Sequence, residues 1–267
     1  MQDDVIYLDN NATTRVAPEA FEAMRPYLTD LYGNPSSSHT FGRRMRASVE
    51  RAREQVAELL GAADASEIVF TSCGSESDNW AIRGVLEQRP TKRHVITTSV
   101  EHEAVRNLCV GLAKQGYKVT WLEVDEEGQL DLESLRAALR PDTALVSVML
   151  ANNETGVLFP VAEIGRLVRE RSDAAFHVDG VQAVGKIPIN LREMPVDLFS
   201  ISGHKFHAPK GIGALYVRGG LSLAPFIIGG GQERGRRAGT EAVPYTVALG
   251  WACELAKDFD GHALIRR

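Results

Sequence analysis

Short apolar runs and amphipathic segments alternate along most of this chain. The apolar runs are rich in Val, Ile, Leu and Phe, which is typical of strands buried in a sheet. They cover residues 67–71, 94–98, 119–122, 144–150, 175–178, 196–200 and 214–217. Segments with apolar residues at helical spacing lie at 79–86, 102–114, 132–139 and 161–171. This alternation predicts an α/β protein with a mostly parallel sheet of seven strands, sandwiched by helices.

Three further helices are predicted outside this alternation. Pro18 suits the first turn of one helix. A long amphipathic helix is expected from about Gly42 to Leu60, where Gly61 supplies a stop. The segment from 244 to 257 is apolar at helical spacing and predicts a last helix.

Polar residues follow several of the predicted strands, at the sheet edge where α/β proteins bind ligands. After the first strand, Ser72-Cys-Gly-Ser-Glu-Ser77 opens a helix. Gly74 would let the backbone approach a ligand and Ser75 adds a hydroxyl donor, so a phosphate could bind at this helix N-terminus. The same residues also fit a plain capping box, because Asp78 follows Ser75 by three positions.

The ends of the strands at 94–98 and 144–150 carry a histidine and a pair of asparagines. His102 could stack on an aromatic ligand or relay a proton, and it could equally cap the next helix. Asn152 and Asn153 offer amide donors, although adjacent asparagines are also common in turns.

An acid and a lysine complete the series. Asp179 could accept the proton of a pyridine nitrogen and Gln182 could donate to a ring oxygen, although Asp179 could also cap a helix. Lys205 follows the strand at 196–200; partial desolvation there would make it an amine nucleophile able to form a Schiff base with pyridoxal phosphate. A solvated basic loop is the alternative.

Composition narrows the class of protein. The 267 residues are 44% hydrophobic with a net charge of −5, which argues against a nucleic-acid-binding surface. We expect neither a membrane span nor a signal peptide. The three cysteines form no Cys-x-x-Cys pair, so we expect a reducing, cytoplasmic compartment and no cysteine metal site.

Seven motifs carry a resemblance to a known family. They are Asp9-Asn-Asn-Ala-Thr-Thr14, Gly33-Asn-Pro-Ser36, Phe70-Thr-Ser-Cys-Gly-Ser-Glu-Ser-Asp78, Ala151-Asn-Asn-Glu-Thr-Gly156, His177-Val-Asp-Gly-Val-Gln-Ala-Val-Gly185, Ser202-Gly-His-Lys-Phe-His-Ala-Pro-Lys-Gly211 and Gln232-Glu-Arg-Gly-Arg-Arg-Ala-Gly-Thr240. In these motifs the chain resembles the cysteine desulfurases, and most closely the NifS-like branch that serves nitrogenase cluster assembly. The resemblance implies the class V aminotransferase family and the large domain of the fold type I pyridoxal phosphate enzymes.

The resemblance also implies roles for individual residues. Those implied to contact pyridoxal phosphate are Gly74, Ser75, His102, Asn153, Asp179, Gln182, Ser202, His204, Lys205 and Thr240. Lys205 and His102 are the implied catalytic residues, and Lys210 is only a neighbour of the first. Thr240 matches a threonine that reaches the phosphate of the neighbouring subunit, which implies a homodimer.

The implied reaction converts L-cysteine to L-alanine and passes the sulfur, through a cysteine persulfide, to an iron–sulfur scaffold or acceptor protein. None of Cys73, Cys109 and Cys253 matches the family's persulfide cysteine, which lies beyond the position of Arg267. Cys73 sits in the phosphate motif, where a helix N-terminus could lower its pKa. The other two fall on apolar helix faces and are predicted to be core residues.

The resemblance divides the chain into an N-terminal segment (1–15), a cofactor-binding large domain (16–257) and the start of a smaller C-terminal domain (258–267). We therefore expect a C-terminally truncated desulfurase. The alternatives are a selenocysteine lyase and a non-catalytic fragment that binds the cofactor and dimerises. A nucleotide-binding protein that uses Ala208-Pro-Lys-Gly-Ile-Gly213 is disfavoured because that stretch lacks the phosphate-loop spacing.

Overall fold

A computed structural model describes residues 6–257 of the chain. The helices are α1 (Pro18–Thr29), α2 (Thr40–Leu60), α3 (Gly74–Gln88), α4 (Glu103–Lys114), α5 (Leu132–Ala138), α6 (Val161–Arg171) and α7 (Val243–Lys257). The strands are β1 (Ile68–Thr71), β2 (His94–Thr98), β3 (Lys118–Leu122), β4 (Thr143–Met149), β5 (Ala175–Asp179), β6 (Leu198–Ser202) and β7 (Gly213–Val217). Every strand and helix expected from the hydrophobic pattern is confirmed, with small shifts of the ends.

The seven strands form one sheet in the order β1-β7-β6-β5-β4-β2-β3. Neighbours from β6 to β3 pair in parallel, whereas β7 is antiparallel to both β1 and β6. The prediction of a mostly parallel sheet is therefore confirmed. Because only β7 runs in the opposite direction, the carboxyl ends of β1, β2, β4, β5 and β6 share one edge.

The central strands are buried on both faces, which explains why their sequences are almost continuously apolar. All residues of β4 and β5 are buried. One core cluster joins α2, α6 and α7 to the sheet, and a second joins α3 and α4 to it. Helices thus cover both faces, as predicted, and hold the strand ends rigidly in place.

Two helix boundaries show how local chemistry positions the loops. Helix α2 ends where Gly61 adopts a left-handed backbone, with a φ of 61°, and bonds back to the last turn. The apolar pattern that predicted helix α3 begins at Asn79, but the helix begins five residues earlier at Gly74, because its polar first turn carries no apolar periodicity.

The predicted start of a C-terminal domain, residues 258–267, lies outside the residues that the structure describes. No helix between residues 6 and 257 is long and apolar enough to cross a membrane.

Candidate cofactor site

A cavity of about 280 Å³ opens at the edge of the sheet where the parallel strands end. Residues from the segments after β1, β2, β4, β5 and β6 form most of its wall. The lining consists of Ala12, Cys73, Gly74, Ser75, Asp78, His102, Met149, Ala151, Asn153, Asp179, Val181, Gln182, Ser202, His204 and Lys205. All the predicted site residues except Thr240 therefore face one cavity.

The turn into α3 leaves a bare helix N-terminus beside this cavity. Cys73 precedes the helix and makes no side-chain capping hydrogen bond, so the alternative capping box does not form at this end. The first amides of the helix keep their capacity to bind a ligand. A Cβ at Gly74 would lie 2.8 Å from Val181 Cγ2 and 3.3 Å from Ser202 Cβ, so a side chain here would fill the wall. The turn suits an anionic group such as a phosphate.

His102 both caps a helix and lines the cavity. Its Nδ1 accepts a hydrogen bond of 3.1 Å from the Ala104 amide at the start of α4. A ring whose Nδ1 is an acceptor carries its proton on Nε2 in the neutral form. The two interpretations of this histidine are therefore compatible, since the cap fixes the ring at the cavity wall.

The two asparagines after β4 have different roles. Asn152 Oδ1 accepts hydrogen bonds from the amides of Glu154 and Thr155, at 2.9 and 3.0 Å, and forms the turn that was the alternative interpretation. Asn153 lines the cavity. One asparagine thus builds the loop that presents the other.

Asp179 ends β5 at the floor of the cavity and is 5% exposed. Its Oδ1 accepts a hydrogen bond of 2.9 Å from the Val181 amide. Burial raises the pKa of Asp179, although this hydrogen bond and the nearby charges of His102 and Lys205 oppose the increase. Asp179 is therefore a buried acid whose protonation responds to what lies beside it.

The N-terminal segment closes over the lysine that follows β6. Lys205 Nζ donates hydrogen bonds to the carbonyl oxygens of Asn11 and of Ala12, the latter at 3.0 Å. The Thr14 amide donates to the His204 carbonyl oxygen at 2.8 Å, which ties the two segments together. Gln182 also donates to the Asn11 carbonyl oxygen, at 2.9 Å. Carbonyl oxygens thus hold the amine of Lys205 at the cavity.

The two lysines of this region differ as the sequence predicted. Desolvation lowers the pKa of Lys205, while the charges of Asp179 and Asp9 oppose that decrease. Lys210 is exposed. Lys205 is thus half-buried with a lowered pKa, whereas the exposed Lys210 fits a solvated loop; the attachment of a cofactor to Lys205 stays a prediction.

Thr240 is the one predicted site residue that lies elsewhere. It is exposed and borders a smaller concavity with Ser72, Glu233 and Arg237. Arg237 pairs with Glu76 in the first turn of α3, at 2.8 Å. The segment carrying Thr240 is thereby fixed to the helix that borders the cavity. Its predicted contact with a second subunit stays a prediction.

Several cavity residues were not predicted from the sequence to bind a ligand. Ala12, Asp78, Met149, Ala151 and Val181 line the wall without an assigned role. Asp78 closes the first glycine-serine motif and follows Ser75 by one helical turn, which is the signal that could have found it. The carbonyl oxygens that bind Lys205 belong to the backbone, so the identity of the side chains could not predict them.

The three cysteines lie in different environments. Cys109 and Cys253 are fully buried, as predicted for core residues. Burial raises the pKa of Cys109 to about 12 and raises that of Cys253 still further. Cys73 is half-buried and lines the cavity. Only Cys73 among the three is accessible to a ligand.

Comparison with known proteins shows close relatives. The class-V aminotransferase family model matches residues 6–266. A cysteine desulfurase of Trichormus azollae is 64% identical over 251 residues, which cover 94% of this chain and 62% of that protein. The cysteine desulfurase NifS of Azotobacter vinelandii is 52% identical over 257 residues, which cover 96% of this chain and 64% of that protein. The chain thus spans less than two thirds of the length of these two curated relatives.

The fold is also similar to that of a solved structure. The solved structure of a NifS-like protein superimposes with a TM-score of 0.92 at 45% identity. The match covers 95% of this chain and 70% of that structure. The likeness therefore extends over nearly the whole of this chain.

Proposed function

This chain belongs to the class-V aminotransferase family, and we propose that it forms the pyridoxal phosphate site of a cysteine desulfurase. Its relatives named cysteine desulfurase support the assignment. The observation that carries it is a single cavity in which a desolvated lysine, a buried acid and a bare helix N-terminus meet.

The residues present fit the cofactor. The uncapped turn at Gly74 and the hydroxyl groups of Ser75 and Ser202 form a cradle for a phosphate. Asp179 lies at the floor, where a carboxylate can pair with a protonated ring nitrogen. Lys205 would hold the cofactor through its amine, and His102, on the same cavity wall, is an aromatic side chain that could stack on a ring bound there.

Each residue then has a distinct task in the proposed reaction. Pyridoxal phosphate supplies a sink for the electrons released when a bond at the substrate α-carbon breaks. Lys205 Nζ, once freed, moves the α-proton of L-cysteine, and its lowered pKa favours the neutral amine that this transfer requires. His102 Nε2 is a second group at the cavity wall that can exchange protons. Asn153 and Gln182 orient the bound molecule.

We propose that the sulfur passes as a persulfide to a thiol other than Cys109 and Cys253. Both are buried, and their raised pKa values keep them protonated at neutral pH, whereas the attacking species is a thiolate. Cys73 borders the proposed phosphate cradle, so we assign it a place in the wall instead of a role as sulfur acceptor. L-alanine is the other product.

We further propose a cytoplasmic homodimer that supplies sulfur for iron–sulfur clusters, among them those of nitrogenase. The NifS relative supports the nitrogenase role. The exposed position of Thr240, held by the Arg237–Glu76 pair, supports contact with the phosphate site of a second subunit.

Reductive trapping tests the cofactor assignment. The purified protein is loaded with pyridoxal phosphate, reduced with borohydride and digested, and the labelled peptide is identified by mass spectrometry. We expect the label on Lys205 and none on Lys210. A label on Lys210, or on no lysine, would reject the assignment.

Product analysis tests the reaction itself. Incubation with L-cysteine is expected to release L-alanine and transfer sulfur to an added thiol. Cofactor trapping on Lys205 without alanine release would favour the non-catalytic alternative, and release only from L-selenocysteine would favour the lyase.

A further inference from the structure

Buried titratable side chains lie beneath the cavity, and the proposed chemistry leaves two of them unused. Asp78, on α3, is 1% exposed, and Glu101, after β2, is 6% exposed. Both lie close enough to Asp179 for its charge to act on them. Three carboxyl groups therefore share one low-dielectric region, where ionising all of them would be very costly.

The unused carboxyl groups lack the partners that an ionised carboxylate needs. Among the described residues, Asp78 Oδ1 and Glu101 Oε2 accept no hydrogen bond. Asp78 also lines the cavity, so this acid with one unpartnered oxygen borders the space in which a ligand would bind. Glu101 Oε1 accepts from Thr98 Oγ1 at 2.7 Å and from the Met149 amide at 3.1 Å. A buried charge in such surroundings would remain largely uncompensated.

His177 is the nearest group that could supply a positive charge to Asp78. Its Nε2 lies 3.6 Å from Asp78 Oδ1, which is too long for a hydrogen bond. The ring instead bonds Ser147 Oγ through Nδ1 and Ser200 Oγ through Nε2, both at 2.9 Å. Burial lowers the pKa of His177 to about 3. We therefore treat the contact as two neutral groups and not as an ion pair.

The titratable groups that face Asp78 come from three directions. His177 and Asp179 face it from β5, Glu101 from the segment after β2, and Cys73 from the start of its own helix. Burial raises the pKa of Asp78 well above its ordinary value; the charge of Asp179, followed by that of Glu101, adds to the increase, and a hydrogen bond with Ser200 opposes it without cancelling it.

Asp179 differs from Asp78 in its partners. It accepts the Val181 amide at 2.9 Å and experiences the positive charges of His102 and Lys205, which favour its ionised form. Of the two acids, Asp179 is therefore the one that the surroundings allow to ionise.

We propose that Asp78 is a positioning residue that remains a neutral carboxylic acid beneath the cavity, so that Asp179 is the carboxylate presented to the ring nitrogen of the cofactor. This role rests on the proposed function, because it concerns how the acid beneath the pyridine ring is kept charged. A second carboxylate at this depth would repel the first and favour its protonation.

Infrared spectroscopy of the cofactor-free protein tests the protonation state directly. A protonated carboxylic acid has a carbonyl band separate from those of carboxylates and amides. At neutral pH we expect Asp78→Asn to lose one such band. Glu101→Gln is the matched control, because it replaces the second unused acid and leaves Asp78 in place. An unchanged carboxylic acid band in Asp78→Asn would overturn the proposal.

A second variant answers the same question if Asp78→Asn fails to fold. In His177→Gln the imidazole is absent, and a neutral Asp78 would keep its carboxylic acid band unchanged. If Asp78 and His177 were instead an ion pair, the substitution would remove the cation and a new carboxylic acid band would appear. The new band would contradict the proposal.

The pH dependence of unfolding provides an independent readout. A carboxyl group that is neutral when folded releases its proton on unfolding above pH 5, which increases the unfolding equilibrium constant about tenfold per pH unit. In the cofactor-free protein we expect Asp78→Asn to release one proton fewer on unfolding, so its unfolding equilibrium constant should depend less steeply on pH. An identical slope in both proteins would refute the neutral state of Asp78.

Cofactor binding then separates this proposal from the proposed function. Asp179→Asn is expected to weaken pyridoxal phosphate binding by at least about tenfold, and Asp78→Asn by less than about threefold at neutral pH. Equal weakening by both variants would make Asp78 a second carboxylate and overturn the proposal. If the wild-type protein bound no pyridoxal phosphate, the proposed function would fail, while the infrared and unfolding results would still decide the state of Asp78.

Discussion

Two regions of this protein bury ionisable side chains, and they differ in whether a partner of opposite charge is bonded to them. Arg53 on α2 and Glu233 in the turn before α7 are almost fully buried and form a two-pronged ion pair at 2.7 and 2.9 Å. Beneath the cavity, Asp78, Glu101 and Asp179 are equally buried, yet Asp78 has no cation bonded to it among the described residues.

The ion pair is complete in its hydrogen bonds. Arg53 also donates to the Ile68 carbonyl oxygen at 2.8 Å, and Glu233 accepts from the Phe70 amide at 3.1 Å. Burial opposes the charge of Arg53, but the hydrogen bond and charge of Glu233 prevail and raise its pKa. Glu233 and Arg234 adopt positive φ values of 48° and 59°, so the pair also holds a strained turn in place.

The comparison separates a structural use of buried charge from a functional one. Stability favours carboxylates that have every partner, as at Glu233, and gives no reason to bury unpartnered ones. Acids with raised pKa values in a cavity are typical of sites that bind a charged ligand. The cavity floor therefore depends on its ligand for compensation, whereas the ion pair depends only on the fold.

The largest effect is expected for Lys205→Ala, in the cavity. Removing the amine eliminates the cofactor attachment and the proton transfer, so we expect alanine formation from L-cysteine to fall by about a thousandfold or more. Borohydride trapping should fail in parallel. Lys210→Ala is the matched control and should retain trapping, and comparable losses in both variants would contradict the separation of the two lysines.

On the structural side, Glu233→Gln should destabilise the fold strongly. It leaves the buried Arg53 with the half-exposed Glu50, at 3.3 Å, as its one remaining counter-charge among the described residues, and we expect the free energy of unfolding to decrease by about 3 kcal/mol. Denaturant titration measures the change. The exposed pair of Arg25 and Glu22 provides the control, because Glu22→Gln should cost less than about 1 kcal/mol. Similar costs for both variants would show that burial does not strengthen the pair.

Gly74→Ala probes the cradle without changing any charge. The added Cβ would lie 2.8 Å from Val181 Cγ2, so we expect overpacking to cost about 1–3 kcal/mol. The reduced space should also weaken pyridoxal phosphate binding, measured by absorbance titration. Gly111→Ala in α4 is the control, since a Cβ there meets nothing within 4 Å. A Gly74→Ala protein that binds as tightly as wild type would argue against a phosphate at this turn.

The pH dependence of the cavity floor gives an effect that is modest per pH unit and accumulates over several units. Burial raises the pKa of Glu101 from its ordinary value of 4.5 to about 8. Because the folded protein then binds one more proton than the unfolded chain, stability should decrease as the pH rises from about 4.5 to about 8. Glu101→Gln removes this contribution, so its stability curve should be flatter by about 1.4 kcal/mol per pH unit. Parallel curves for the two proteins would show that Glu101 is ionised in the folded state.

Most of the fold was predictable because the buried strands have a strong local signal. The run at 144–150 predicted β4, which spans Thr143–Met149, and Gly61 predicted the end of α2. The apolar periodicity of α3 begins only at Asn79, five residues after the helix starts, so the polar motif at Ser72–Ser77 alone indicated its start. The antiparallel direction of β7 was not predicted, since pairing between distant strands leaves no mark in either one.

The candidate site shows the same division. The motifs predicted nine residues that meet in one cavity, with Thr240 the exception. They did not predict the carbonyl oxygens of Asn11 and Ala12 that bind Lys205, because any residue type supplies such an oxygen. They also gave Asp78 no role beyond an alternative helix cap.

The sequence by itself determined the order of strands and helices and the kinds of side chain at each strand end, because apolar periodicity and motif spacing are local properties. The tertiary structure alone decided which charged groups are compensated. Arg53 finds Glu233, 180 residues away along the chain, while Asp78 packs against acids and a neutral His177. Whether a buried carboxyl group keeps its proton depends on what the fold places around it, and that environment is assembled from segments that are distant in sequence.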